Sequence, residues 1–208
     1  WEAILLYSQV EKSLKENPIG HEAKFRRARI AYFQGQMDWA QAQLDILKAS
    51  TSKLIANNAM NLSLLITDNM GLDTSAHAIQ MYARAEFLEF QNKFEESLLT
   101  LDSLSNKFSG HSLQDEIIFK KATISVKQKK YDNAINLFEK VATNYSYDIL
   151  ADDALFQWAK LTEKHLNNLD KAQSIYEKLL LDYSDSIYTS EARKRFRDIR
   201  SDTKKNEL

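Results

Sequence analysis

Five times along the chain a small residue is followed by a bulky apolar residue four positions on, and by another three positions later. The sets are Ala3–Tyr7–Val10, Ala40–Leu44–Leu47, Ser97–Leu101–Leu104, Ala134–Phe138–Val141 and Ala172–Tyr176–Leu179. Offsets of four and seven put all three side chains on one stripe of an α-helix. We call this helix B. A partner stripe precedes it: Phe25, Tyr82, Phe119 and Phe156 are each followed three residues later by Ala28, Ala85, Ala122 and Ala159. This is helix A. A turn then leads to an apolar residue that opens helix B: Met37, Phe94, Tyr131 or Leu169. The small residues let two helices approach closely, and the bulky ones fill the groove of a neighbour. A pattern of this kind obliges helical hairpins to stack in register.

The steps between successive small residues of helix B are 37, 57, 37 and 38. The long step is one repeat plus about twenty residues, the length of one further helix with its loop. Residues Ser52 to Met70 fit that helix, with Leu54, Ile55, Ala59, Leu62, Leu65 and Ile66 as its apolar stripe. Gly71 is expected to cap its end, and Asp73 or Thr74 to cap the next start. Such a helix bends the array or serves as a plain spacer. Composition agrees with helices: only four Gly and one Pro occur in 208 residues. A sheet-rich chain of this length would need many more for its tight turns.

The order small-x-x-x-bulky behind an A helix resembles the tetratricopeptide repeat family. The segment Lys130-Tyr131-Asp132-Asn133-Ala134-Ile135 looks like that family's turn between helices A and B. Two departures stand out. The period is 37 to 38 residues, where the common family repeat has about 34. The usual closing Pro is replaced by Ser at Phe108-Ser109, Tyr145-Ser146 and Tyr183-Ser184. Repeats of this longer, Tyr-Ser-ended kind resemble scaffold proteins of Gram-negative bacterial cell envelopes, which implies a periplasmic or envelope setting. The resemblance implies an all-α, right-handed α-solenoid of about ten helices, with one inserted helix and a C-terminal capping helix. It further implies that A helices line the concave side and that a partner protein or peptide binds there. The A-helix residues off the packing stripe are the candidate contacts: Arg29, Tyr32 and Phe33, then Glu86, Glu89 and Phe90, then Thr123 and Lys127. No repeated Lys/Asn set for clamping a peptide carboxyl terminus is present.

The expected organisation is a single solenoid over 1–208. It comprises an orphan B helix (1–18), a repeat (20–50), the inserted helix (52–71), three repeats (74–109, 112–146, 149–184) and a cap helix (186–201). In the cap, Lys194 falls where Phe156 stood and Arg197 where Ala159 stood, so one face is expected to meet water. At the other end Pro18 is expected to close a B helix whose A partner is missing, as in the C-terminal part of a longer protein. The last residues, from Asp202 on, read as a polar, fraying tail.

Little catalytic chemistry is legible. There is no Cys, hence no thiolate nucleophile or Cys-based metal site. His21, His77, His111 and His165 show no metal-ligand spacing, and each reads as a loop or cap residue or as a single ligand or base. The pairs Asp115-Glu116 and Asp152-Asp153 suit helix N-termini, with a calcium or paired-carboxylate site as the alternative. Trp39 reads as half-buried packing or a surface anchor. The run Arg193-Lys194-Arg195-Phe196-Arg197 could meet an anionic partner, but a net charge of −1 gives no global field for nucleic acid. The expectation is a non-enzymatic protein-binding scaffold without metal or cofactor, with no nucleic acid partner and no membrane span. The alternative is a structural docking module of a larger protein.

Overall fold

A computed structural model describes residues 2–49, 52–70 and 76–206, with backbone alone for 202–206. The expected caps Gly71, Asp73 and Thr74 lie outside these residues, as does the end of the polar tail. Among the described residues there are eleven helices and no strand. The protein is all-α, as a helical repeat array requires. Its contacts divide it into two compact units, Trp1–Leu113 and Gln114–Leu208, where the sequence leads one to expect a single domain.

The first unit holds α1 (Glu2–Ser13), α2 (Pro18–Phe33), α3 (Met37–Leu47), α4 (Lys53–Met70), α5 (His77–Phe90) and α6 (Phe94–Lys107). Helices α2 and α3 form one A–B hairpin, α5 and α6 another, and α4 packs on α3, α2 and α5. Ala28, Ala40, Leu44, Ala85 and Leu101 are completely buried. The contact between the small residues is direct at one place: the Ser97 hydroxyl donates to the carbonyl of Ala85 at 2.8 Å. In α4 the buried stripe is Ile55, Ala59, Ser63, Ile66 and Asn69. Leu54, expected within it, is 70% exposed, because the face that packs is turned one residue along the helix.

Two expectations at the start of this unit need correction. Pro18 does not close α1 but begins α2: the Asn17 side chain caps that helix by accepting the Ile19 N–H at 2.9 Å. Proline suits this first position because its missing N–H has no partner there anyway. Ala3 is exposed, and α1 has no buried residue. In the other repeats the A helix before it covers the small residue; no helix of the described residues covers Ala3. Instead α1 lies on α2 through the half-buried stripe Ile4, Tyr7, Ser8 and Glu11. Glu11 is paired there with Arg27, and with Lys24 at 4.0 Å. The approach is close enough that a Cβ on Gly20 would stand 1.9 Å from the Leu14 carbonyl oxygen.

The second unit holds α7 (Gln114–Lys127), α8 (Tyr131–Asn144), α9 (Ala151–Lys164), α10 (Leu169–Asp182) and α11 (Thr189–Asn206), each packed on the next. One core runs through it, with Ala122, Ala134, Phe138, Val141, Ala159, Ala172, Tyr176 and Leu179 buried; Phe119 is half-buried against them. Hydrogen bonds tie one repeat to the next. The Tyr183 hydroxyl donates to the Ser146 carbonyl, 37 residues earlier, at 2.5 Å. Tyr188 stacks on Phe156 at 4.4 Å and donates to Asp153. Helix α11 buries Ala192 and Ile199 and leaves Lys194 and Arg197 exposed.

Each A–B turn reverses through one residue with positive φ: Gly35 (78°), Asn92 (61°), Lys129 (59°) and Asn167 (50°). In the first three, the next residue's N–H bonds back five positions: Gln36 to Ala31, Lys93 to Leu88 and Lys130 to Ser125, all within 2.9 Å. This is a Schellman closure, which satisfies the last carbonyls of helix A. The fourth turn is one residue longer, and Asn168 bonds back six positions to Thr162 at 3.3 Å. The extra residue of the 38-residue step is therefore held in this turn, and the stripes on either side keep their places.

Candidate functional site

The candidate residues of the first unit lie on α2 and α5. Arg29 and Phe33 are four apart on α2 and therefore share a face. The Arg29 guanidinium stands 5.2 Å from the Phe33 ring centre and 5.6 Å from that of Phe90 on α5. Phe33 meets Phe87 at 5.4 Å and Phe90 at 6.2 Å. Phe90 is 59% exposed, while Arg29 and Phe33 are half-buried. No carboxylate among the described residues forms an ion pair with Arg29. Its held charge therefore rests on the faces of two rings, an attraction worth on the order of 1 kcal/mol at partly exposed sites.

Tyr32 and Glu89 need correction as surface contacts. Tyr32 is completely buried and Glu89 is 8% exposed. Helix α2 is enclosed by α1, α3, α4 and α5 together, so the face carrying Tyr32 is covered. The Tyr32 hydroxyl donates to Glu86 Oε2 at 2.9 Å. Burial, followed by the negative charge of Glu86, holds that hydroxyl well above the usual tyrosine range. Tyr32 thus orients Glu86 and stays neutral.

Helix α4 completes the site. Asn58, Asn61, Leu62 and Leu65 face Phe25, Arg29, Tyr32 and Glu86 across a cleft of about 410 Å³. Sequence reasoning placed Leu62 and Leu65 in a packing stripe and passed over both asparagines. The signal was present: 58, 61, 62 and 65 follow the three-four-seven spacing of a second helical face. Phe87, between the two candidates Glu86 and Phe90, was missed as well.

In the second unit, Thr123 spends its hydroxyl on the Lys120 carbonyl at 2.8 Å, and Lys127 is exposed in the last turn of α7. The other candidates resolve into local roles. The carboxylates of Asp115-Glu116 and Asp152-Asp153 lie in first turns, where Asp152 accepts the Asp153 N–H at 2.9 Å. His165 stacks on Tyr131 at 3.6 Å, and His77 lies 5.8 Å from Phe108. Arg195 of the basic run reaches Glu163 at 3.3 Å, whose other oxygen accepts the Tyr176 hydroxyl. Trp39 is 39% exposed with the Arg27 guanidinium over its ring. Among the described residues no three acidic or His side chains converge as a metal site would require, and no helix is long and apolar enough to cross a membrane.

Fold and site together define a helical-hairpin repeat protein. The tetratricopeptide repeat profile matches residues 116–146 and 153–186, which are the two A–B hairpins of the second unit. Tetratricopeptide repeats are typically non-catalytic and bind protein partners. A comparison with curated proteins gives no match.

Proposed function

We propose that the chain is a non-catalytic scaffold that holds a partner protein or peptide on its A-helix surface, the side the repeat resemblance makes concave. The observation carrying this reading is Phe90: a large aromatic 59% exposed at the end of an A helix, beside Phe33 and the guanidinium of Arg29. Exposed aromatics flanked by arginine are the usual anchors of protein interfaces. Arg29, Phe33, Glu86 and Phe90 form the contact in the first unit, with Tyr32 and Glu89 supporting it from beneath. In the second unit, taken by itself, Thr123 and Lys127 of α7 are the corresponding candidates. The Tyr-Ser repeat ends favour a role in cell-envelope assembly.

The test is a photo-crosslinking amino acid placed at position 90 in the native host, against the same residue at Leu99, which is 67% exposed on helix B. Discrete protein adducts at 90 and none at 99 are expected. Equal or greater yield at 99 overturns the assignment to the A surface.

A structural docking role within a larger assembly is favoured by a separate observation. Leu5 and Leu6 are 62% and 61% exposed on α1, a helix without a buried residue. Crosslinks from position 6 that outnumber those from 90 would support this second reading.

A further inference from the structure

Resting on the A-surface reading, we infer that the cleft between α2, α4 and α5 takes an acidic-apolar segment of the partner, whose side-chain carboxylate pairs with Arg29. Among the described residues Arg29 is the one positive group lining this cleft, and its guanidinium is held in place by Phe33 and Phe90 without an ion pair. A guanidinium fixed in that way has already lost much of its rotamer freedom, so a carboxylate meets a pre-organised fork of donors. Asn58 and Asn61 of α4 add amide donors on the opposite wall. Glu86 is the one negative group among the described residues of the lining, and its Oε2 already accepts the Tyr32 hydroxyl at 2.9 Å. That bond anchors one of its oxygens, and the Arg29 guanidinium, without an ion pair, is the group a partner's carboxylate meets.

The apolar half of the segment has two seats beside that charge: Leu62 and Leu65 in the lining of the cleft, and the exposed ring of Phe90 against the Arg29 guanidinium. A partner sequence with Asp or Glu next to Leu, Phe or Trp matches both. Two walls come from A helices, and the third comes from the helix that interrupts the repeat. The pocket therefore draws on the irregular part of the array.

A displayed library of random twelve-residue peptides, panned against the full 208-residue chain and its Arg29→Gln and Phe90→Ser variants, tests the inference. Each variant is first checked by circular dichroism for an unchanged helical signal and melt. The expected result is enrichment of peptides carrying Asp or Glu beside a large apolar residue. Synthetic copies should bind at least about tenfold more weakly to Arg29→Gln, since hydrogen bonds between charged groups are the strong ones. Their affinity should fall with added salt for the parent chain and much less for the variant. Enriched peptides that need Phe90 but lack acidic residues, or that bind Arg29→Gln unchanged, overturn the carboxylate inference and leave the A surface standing. Peptides indifferent to both substitutions, or no enrichment at all, overturn both. Should Arg29→Gln melt early, Arg29→Lys keeps the charge and loses the planar fork. Intermediate affinity that still falls with added salt then supports the pairing, and an affinity indifferent to salt refutes it.

Discussion

The two units are built on the same stripes, yet they differ in regularity. In the second unit α7 to α10 are two consecutive A–B hairpins, each matched by the tetratricopeptide repeat profile. In the first unit the two hairpins are separated in sequence by α4, and the profile matches neither. Within the hairpins the small and bulky positions of helix B are nevertheless buried alike in both, with Ala40 and Leu44 as fully enclosed as Ala134 and Val141, and only the set on α1 departs. Burial of the hairpin stripes therefore does not distinguish the units. What distinguishes the first unit is its cleft, where Arg29, without an ion pair, faces Asn58 and Asn61 of the interrupting helix. The interrupting helix supplies one wall of a cleft in which side chains can be spared for another molecule.

If both units rest on the same packing, truncating one buried stripe residue in each should hurt comparably. Phe138→Ala in the second unit is expected to cost about 3–5 kcal/mol, and Leu44→Ala in the first about 2–5 kcal/mol. Urea and thermal melts of the full chain read both. A loss below about 1 kcal/mol at Leu44 would break the comparison by showing that the first unit is held by something other than its stripe.

The turns sharpen the contrast at smaller scale, since equivalent positions hold Gly35 in one unit and Lys129 in the other, both at positive φ. A side chain in that conformation costs on the order of 1 kcal/mol. Gly35→Ala should destabilise by about that much, with further crowding against Gln80, whose Cγ would lie 3.4 Å from the new Cβ. Lys129→Gly should stabilise by a similar or smaller amount. Opposite signs in one set of melts are the expected outcome. A destabilising Lys129→Gly would mean that the lysine side chain contributes more than its backbone strain costs.

The smallest effect concerns pH and belongs to the second unit. Burial first, and then the neighbouring charge of Asp152, raise the Asp153 carboxyl above its ordinary value of 3.8, against the lowering by the Tyr188 bond. A raised carboxyl binds its proton more tightly when folded. Its contribution to stability is therefore largest at low pH and declines as pH rises from about 3.8 through the raised value. The stability difference between the parent chain and Asp153→Asn should fall across that window and be flat above it. Asp148 is raised too, by burial and by Asp115, and leaves a residual slope in the variant. A difference that rises with pH would reverse the assignment.

Much of the fold could be read from spacing because a stripe of offsets four and seven depends only on helix geometry. Ala28, Ala85, Ala122 and Ala159 are all completely buried for that reason. Spacing failed where burial depends on what covers a helix. Ala3 carries the B-helix spacing yet is exposed, with no helix of the described residues over it, and Tyr32 sits off the stripe yet is enclosed. The turn chemistry was half legible: Gly35, Asn92 and Asn167 are residue types that tolerate a left-handed backbone, whereas Lys129 announces nothing. Of the site, the Arg29–Phe33 pair follows from a spacing of four. Phe90 is 61 residues further along than Arg29, and only tertiary packing brings it beside them.

The longer reversal at Leu166–Asn168 carries an implication for how such a chain can change over time. An added residue there is taken up as slack in a solvent-side bend: Leu166 is 42% exposed, while Ala159 and Ala172 on either side remain sealed. Insertions in that bend alter the reach of the peptide without shifting any interior partner. The array can thus drift away from the common family length one amino acid at a time and stay foldable at each stage.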